Sequence, residues 1–231
     1  MFERQRLKLK FLQFVRDPTR TSLIFEMYEL ASRVPGASRV VRAVEARATD
    51  DAGFRELHMR RASLEIPPLE SLSASAEDTL GFAYSIHLRR YNLKPYFYNA
   101  PNGDRVIDYI SYRLYQTHDL WHVVLGYDVS PAGELGVQAF TLAQLGTPFS
   151  FLLMAGGMLN IVESAPELCE EIFATMTEGY SMGKTSQFLL GFSFNEHWAS
   201  PLSEVREAAG LTRCSTGTGN IATRAAMLPA R

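Results

Sequence analysis

The sequence predicts an all-α fold, built as a single-domain multi-helix bundle. Apolar residues recur at spacings of three and four along most of the 231 residues, and no alternation of apolar and polar residues is long enough to require a sheet. Hydrophobic residues make up 46% of the chain, which is enough for a sizeable core. We expect one helical domain over residues 1–211 and a small, polar, loosely ordered tail over residues 212–231.

Charge and cysteine content exclude two classes of protein. Lysine and arginine total 23 and aspartate and glutamate total 25, so the net charge is −2 and the chain is not a polycation built for nucleic acid. Its two cysteines, Cys169 and Cys214, are too few for a disulfide framework or for a zinc site built from thiolates.

The first 16 residues predict a basic amphipathic helix. Five cations against one acid, Glu3, give this segment a local charge of +4. Leu7, Phe11, Phe14 and Val15 share one helical face. Two interpretations stay open here: the helix lies on an anionic membrane surface, or its apolar face packs on the core while its cations remain in water.

Breaks and periodicity divide the following residues into shorter helices. Residues 23–31 and 40–48 each show helical spacing, and Pro67-Pro68 forms a clear break. Residues 73–91 are predicted to be one helix. The aromatic stretch over residues 92–104 contains two prolines and an Asn-Gly pair, so we expect a loop there.

Two further helices are predicted around a short turn. The first begins near Asp104 and runs to about Leu125. The second begins at Ser130-Pro131, because serine is a favoured N-cap and proline is favoured at the first helical position. This second helix contains Glu134.

From Leu135 to Val162 the chain has 28 consecutive uncharged residues. Length alone would permit a transmembrane span, but Gly146-Thr147-Pro148 divides the stretch into halves that are each shorter than a bilayer requires. We therefore predict two buried helices around a hinge. Gly156 and Gly157 in the second helix permit close approach by a neighbouring element or a ligand.

His118, Asp119 and His122 form an H-D-x-x-H pattern on the long helix. Side chains four residues apart lie one turn above each other, so both imidazoles can hold one divalent metal ion. Asp119 lies about 100° around the helix, from where it would reach the ion or orient a histidine. Glu134 can fold back onto the same ion because a turn precedes it. Such ligands suit zinc, manganese, iron(II) or magnesium, and residue types do not choose among them.

The pattern of His118, Asp119 and His122 followed by Glu134 resembles the signature of the coenzyme Q biosynthesis protein 4 family. Three other segments are also similar to that family: the TLG element at residues 79–81, the run LWHVVLGYDVSPAGELGVQAF, and the closing run NEHWASPLSEVREAAGL. The resemblance covers roughly residues 73–211, and the first 60 residues match less clearly.

The resemblance implies a protein of ubiquinone or other prenylquinone biosynthesis that binds one divalent metal ion through His118, Asp119, His122 and Glu134. Zinc is the ion that the resemblance favours, with iron, manganese and magnesium as alternatives. The implied reaction is metal-dependent removal of the C1 carboxyl group from a polyprenyl hydroxybenzoate, with or without coupled hydroxylation at that carbon. No catalytic residue beyond the metal site is assigned. The alternative is a non-catalytic scaffold that presents the lipid.

The resemblance also implies partners and a location. The partners are a polyprenylated aromatic substrate, other quinone-biosynthesis proteins, a membrane surface and, as an option, a second copy of the chain in a homodimer. The location is the membrane periphery, on the cytoplasmic face in a bacterium or on the matrix side of the inner mitochondrial membrane in eukaryotic relatives.

A prenyl tail would find an apolar lining in the uncharged stretch, because each buried methylene contributes about 0.8 kcal/mol. The alternative is that the same side chains fill the core or a dimer interface. The expected lining of the lipid groove consists of Phe149, Leu152, Leu153, Gly156, Gly157 and Met158.

A second metal chemistry fits part of the pattern. Phosphohydrolases of the HD superfamily use a histidine, an adjacent His-Asp pair and a distant aspartate, and His87 lies 31 residues before His118. That interpretation leaves His122 and Glu134 without a role. We therefore expect His87 to pack on the apolar face of its own helix.

Overall fold

Eleven α-helices and three short 3₁₀-helices make up the part of the chain that the structure, a computed structural model, describes: residues 2–95 and 104–211. Within those ranges there is no strand, only one isolated bridge between Thr79 and Pro201. The all-α prediction is confirmed. The predicted tail over residues 212–231, and residues 96–103 of the predicted loop, lie outside the described residues.

The α-helices are α1 (Phe2–Arg16), α2 (Thr21–Ser32), α3 (Ala37–Asp50), α4 (Ala52–Met59), α5 (Leu69–Ser73), α6 (Leu80–Arg90), α7 (Val106–Leu125), α8 (Pro131–Leu145), α9 (Pro148–Ser164), α10 (Cys169–Thr185) and α11 (Leu202–Ala208). The 3₁₀-helices are Pro166–Leu168, Leu189–Gly191 and Phe194–Glu196.

Helix boundaries follow the predictions where a local signal marks them. Ser130 accepts a hydrogen bond from Gly133 N at 3.2 Å, and α8 begins at Pro131 as expected. Gly126 and Gly146 end α7 and α8 with φ of 75° and 66°, in the left-handed region that glycine adopts readily. The uncharged stretch therefore forms two helices, α8 and α9, as predicted.

The predicted helix over residues 73–91 is wrong at its start. The chain forms the short α5 and a turn before α6 begins, because distant contacts fix the N-terminus of α6. Thr79 caps that end, and Gly81 N donates to the carbonyl of Trp198 at 2.9 Å. A Cβ at residue 81 would lie 2.8 Å from the same oxygen, so the TLG element and the C-terminal segment fit only with glycine there.

The hydrophobic core has three parts. The largest surrounds α7, in which Leu120 and Trp121 are fully buried. The second joins α8, α9 and α10, and the third joins α1, α2 and α9. Glycines bring α8 and α10 very close, since a Cβ on Gly179 would lie 2.3 Å from the carbonyl oxygen of Gly136.

The C-terminal end of α7 is fixed by an arginine from α11. Arg206 donates from Nε to the carbonyl of Val124 at 2.8 Å and from Nη2 to the carbonyl of Val123 at 3.0 Å. The last carbonyls of a helix lack partners within the helix, so this arginine supplies them. Residues 201–206 of the closing run form the pattern P-L-x-x-V-R, and its arginine thereby holds the end of the helix that carries both motif histidines.

In the described part of the chain, none of the helices combines the length and apolarity needed to cross a bilayer.

Candidate metal centre

Three of the four predicted ligands lie together between α7 and α8. The Nε2 atoms of His118 and His122 are 3.3 Å apart. Oε2 of Glu134 lies 3.7 Å from His118 Nε2, and its Oε1 lies 3.4 Å from His122 Nε2. In the described residues, this is the one group of three or more His, Cys, Asp or Glu side chains whose ligand atoms all lie within 4.8 Å of one another.

These separations fit a metal ion. Nitrogen and oxygen ligands lie about 2.0–2.1 Å from zinc in a tetrahedral site, which places neighbouring ligand atoms about 3.3–3.4 Å apart. Three protein ligands leave a position for a water molecule or a substrate, as catalytic zinc sites do. The site also has an open side, because the side chains of His118 and Glu134 are 26% and 41% exposed, whereas that of His122 is 1% exposed.

A tight reversal of the chain between α7 and α8 builds the site. After Gly126 ends α7, the backbone turns so that the carbonyl oxygen of Asp128 lies 3.1 Å from His122 Nδ1. A Cβ at Gly133 would lie 2.0 Å from that carbonyl oxygen, so only glycine permits the turn to close this tightly. The next residue is Glu134, which the same turn brings to the two histidines.

The contact with Asp128 also selects the form of His122. A backbone carbonyl only accepts hydrogen bonds, so Nδ1 must carry the proton and donate it. In the neutral imidazole this leaves the Nε2 lone pair directed at the site, which is the arrangement that metal-binding histidines generally adopt.

Opposite charges hold the metal-free site together. Burial acts to raise the pKa of Glu134, but hydrogen bonds and positive charge from His118 and His122 outweigh it and hold that pKa well below its usual value. Burial acts to lower the pKa of His118, yet Glu134 outweighs burial and raises it above the ordinary 6.5. A metal ion must therefore displace protons to bind here.

Asp119, the fourth predicted ligand, lies outside the group of three. Its carboxyl group is close enough for its charge to raise the pKa of His118, while burial raises its own pKa. In this structure it flanks the site, and its part in metal binding stays a prediction.

His87 lies next to the site. From the sequence, we expected it only to pack on the apolar face of its own helix. Its ring stacks on that of His122, with centroids 5.6 Å apart and planes inclined by 26°. Burial, followed by the charges of His122 and His118, lowers the pKa of His87 from 6.5 to about 4, so the ring is neutral at pH 7. Periodicity located the face but could not show that it turns toward α7.

The HD phosphohydrolase interpretation requires His87 and Asp119 among the ligands. Neither belongs to the group of three, whereas His122 and Glu134, which that interpretation leaves without a role, both do. The geometry of the described residues therefore favours the H-D-x-x-H interpretation.

The two glycines predicted to leave room for a lipid are covered by the protein itself. A Cβ at Gly156 would lie 2.7 Å from the ring of Phe14, and one at Gly157 would lie 2.8 Å from Leu135. Leu153 is buried in the same core part as Phe14. In this structure, α1 and α8 occupy the space beside both glycines.

The remaining residues of the predicted groove are less enclosed. Phe149 and Leu152 are half-buried, and Phe149 meets Tyr28 edge to face with ring centroids 5.4 Å apart. Met158 is at the border of exposure. The lipid groove stays a prediction. What α9 does present to solvent is an apolar face formed by Phe151, Leu159 and Val162.

Comparison with known proteins extends the resemblance to most of the chain. The family described as "Coenzyme Q (ubiquinone) biosynthesis protein Coq4" matches residues 11–215, including N-terminal residues where the motifs matched less clearly. The mitochondrial ubiquinone biosynthesis protein COQ4 homolog of Rattus norvegicus is 26% identical over 168 residues, which are 71% of this chain and 62% of the rat protein. The match thus spans less than two thirds of that relative.

Two other comparisons cover a larger share of the related protein. The mitochondrial ubiquinone biosynthesis protein coq-4 of Caenorhabditis elegans is 24% identical over 212 residues, which are 87% of this chain and 86% of the nematode protein. A crystal structure from Nostoc punctiforme PCC 73102, provisionally described as a ubiquinone biosynthesis protein, is similar with a TM-score of 0.77 and 25% identity. It covers 90% of this chain and 98% of its own.

Replacing either motif histidine should abolish tight metal binding. We expect His118→Ala and His122→Ala each to lower zinc affinity by about 100-fold or more, since even a group that only orients a ligand contributes about 10–100-fold. Asp119→Asn should cost about 10-fold or less. The measurements are calorimetric zinc titration and metal content after dialysis, with helicity followed by circular dichroism.

The matched control for the metal experiment is His197→Ala, which removes an imidazole that stacks on Phe192 away from the site. Unchanged zinc affinity in both motif-histidine variants would remove the site. A loss in Asp119→Asn as large as that in His122→Ala would instead add Asp119 to the ligands.

Metal affinity should fall with decreasing pH, and the fall should begin above pH 6.5. His118 must lose its proton to bind metal, and Glu134 raises the pKa at which it does so. Glu134→Gln removes that negative charge, so the midpoint of the pH dependence should move down. Zinc titrations against a competing chelator from about pH 5.5 to 8.5 measure both midpoints, and a midpoint that stays or rises in the variant contradicts the assignment.

Proposed function

This chain belongs to the family of the coenzyme Q (ubiquinone) biosynthesis protein Coq4, and on that premise we propose that it removes the C1 carboxyl group of a polyprenylated hydroxybenzoate during prenylquinone biosynthesis. The observation that supports the proposal is the group of His118, His122 and Glu134, whose donor atoms have metal-ligand spacing and whose outer side is open to solvent. A metal centre closed on all sides would serve structure alone.

Each residue of the group has a distinct part in the proposed chemistry. His122, deeply buried and held by Asp128, gives the site a fixed donor, while His118 and Glu134 form its rim. Zinc or another divalent ion held by these three residues would act as a Lewis acid for the carboxylate or phenolate oxygens of the ring.

The reaction itself exchanges a carboxyl group for a proton. The bond between ring carbon C1 and the carboxyl carbon breaks, carbon dioxide leaves, and a proton takes its place on C1. The barrier lies in placing that proton on an aromatic carbon. The ligands on α7 and α8 would lower it through the ion that they hold, because that ion would fix the ring oxygens in one orientation and stabilise the developing charge.

We further propose that the protein works at a membrane surface, where a polyprenyl tail is found. Phe2, Leu9 and Leu12 of α1 are 71%, 62% and 57% exposed. Lysine and arginine side chains on the same helix are also exposed. A helix with apolar and cationic side chains in solvent is typical of binding to anionic lipid.

Helix α9, which carries the exposed apolar face, packs against α1 through other residues. Asn160 of α9 donates to the carbonyl of Val15 at 2.8 Å, and Phe14 packs over Gly156. Phe151, Leu159 and Val162 thus lie on a helix that is attached to the proposed membrane-binding helix. In the proposal, this face receives the tail while α1 contacts the headgroups, and other quinone-biosynthesis proteins or a second copy of the chain bind elsewhere.

The metal-loaded full chain should release carbon dioxide from its substrate. Incubation with a 3-polyprenyl-4-hydroxybenzoate carrying ¹³C in the carboxyl group should yield labelled carbon dioxide and the matching phenol, both detected by mass spectrometry. His122→Ala should lower the rate by about 100-fold or more because it removes a metal ligand, whereas His197→Ala should retain it.

The same experiment separates the enzyme from the scaffold. Zinc, iron(II), manganese and magnesium are each loaded in turn, and binding of the substrate is measured alongside turnover. Binding without labelled carbon dioxide under every metal contradicts the decarboxylase and supports a protein that presents the lipid.

Charge reversal on α1 should weaken membrane binding. Arg4→Glu with Lys8→Glu replaces two exposed cations, each of which contributes about 1 kcal/mol near an anionic surface, so the affinity for vesicles of 70% phosphatidylcholine and 30% phosphatidylglycerol should fall at least about 10-fold. Arg39→Glu with Arg42→Glu makes the same charge change on exposed positions of α3. Equal co-sedimentation of both double variants with vesicles argues against α1 as the contact.

A further inference from the structure

We propose that His87 of α6 and Tyr91, which directly follows that helix, form the wall of the site that receives the aromatic ring of the ligand, and that His87 Nε2 hydrogen-bonds an oxygen substituent of that ring. The inference rests on the proposed function for the class of ligand, a hydroxybenzoate, and assigns a positioning and specificity role to a helix that contributes no metal ligand. It concerns binding, so it does not depend on whether decarboxylation follows.

The first observation is a row of three aromatic rings leading away from the metal centre. The ring of His87 stacks on that of His122, with centroids 5.6 Å apart. The ring of His87 also meets that of Tyr91 edge to face, with centroids 5.1 Å apart. His87 and Tyr91 lie four residues apart on α6 and at its end, so one helix face presents both rings. Aromatic pairs favour offset stacked or edge-to-face arrangements, which a phenol ring can extend.

The second observation is a buried nitrogen without a partner. His87 is 9% exposed, yet no described residue forms a hydrogen bond with its Nε2 atom. Leaving a buried polar group unsatisfied costs about 1–3 kcal/mol, and most buried polar groups in proteins are satisfied. Packing alone would be served by phenylalanine, which has no such cost. A ligand oxygen at the adjacent metal centre would satisfy the nitrogen.

A buried nitrogen without a hydrogen-bond partner does not by itself identify a ligand-binding residue, and His58 is an example. His58 Nε2 is also buried without a partner, but its ring contacts Phe54 and Tyr109 rather than the proposed metal ligands. What sets His87 apart is its contact with His122. His58 therefore provides a matched control.

The position of His87 is fixed from a distance. Two turns before it, α6 is anchored to the C-terminal segment through the bond from Gly81 N to the carbonyl of Trp198. Trp198 in turn donates from Nε1 to the carbonyl of Glu65 at 2.9 Å and packs against Tyr84. These contacts set the register of α6 against α7, so a ring at residue 87 has a defined place beside His122.

The test uses the full chain loaded with cobalt(II), whose visible spectrum reports ligand binding. Two soluble probes are titrated: 3,4-dihydroxybenzoate, which carries ring hydroxyls, and benzoate, which carries none. His87→Phe should keep cobalt affinity and weaken 3,4-dihydroxybenzoate by about 10-fold, the equivalent of one lost hydrogen bond. The same substitution should change the affinity for benzoate by about 2-fold or less. His87→Gln, which restores a polar group, should recover part of the loss.

Each alternative outcome is decisive. Unchanged 3,4-dihydroxybenzoate affinity in His87→Phe overturns the inference, and so does an equal loss for both probes, which would indicate a distorted pocket. Loss of cobalt in His87→Phe would make the residue a metal ligand instead. An effect of the same size in His58→Phe, or no binding of either probe to the wild-type protein, would also overturn it. If the wild type binds the probes but releases no carbon dioxide from its substrate, the proposed reaction fails while this inference stands.

Discussion

The candidate metal centre depends on the reversal of the chain between α7 and α8. Its closure requires the carbonyl of Asp128 to lie against Gly133, where any Cβ would collide with it. That carbonyl also accepts a hydrogen bond from His122 Nδ1. One backbone oxygen therefore sets the direction of the turn and the orientation of a ligand, and the residue after the glycine is Glu134. Ligand spacing, donor orientation and helix direction all follow from this contact.

The turn is useful only because α7 is held in place from several sides. Arg206 bonds the carbonyls at its C-terminus, and a buried guanidinium, that of Arg113, donates to the carbonyls of Leu190 and Phe192. The segment after α10 thus wraps around α7 through hydrogen bonds to backbone. Residues far along the chain from the histidines fix the helix on which the histidines lie, which gives a structural reason for the closing P-L-x-x-V-R element.

The molecule also exposes two kinds of surface. The rim of the metal centre is formed by α7 and α8, with α6 beside His122. The exposed apolar side chains lie mainly on α1, α9 and α10, and include Phe173, which is 70% exposed. The proposed reaction needs both kinds of surface, because its substrate joins a polar ring to a long apolar tail. Helix α8 connects the two, since it carries Glu134 at one end and packs against α9 along its length.

The sequence by itself determined the features that local chemistry controls. Helical periodicity predicted the all-α class, the Ser130-Pro131 cap predicted the start of α8, and the spacing of His118, His122 and Glu134 predicted the group that the structure brings together. Only the tertiary structure decided the features that depend on residues far apart in the chain. It moved the start of the helix predicted over residues 73–91 to Leu80, where α6 contacts the C-terminal segment, and it left Asp119 outside the group of three. It filled the space beside Gly156 and Gly157 with α1 and α8, and it turned His87 toward the metal centre. The physical reason is that periodicity predicts which face of a helix is buried. Which element covers that face depends on how whole helices pack together.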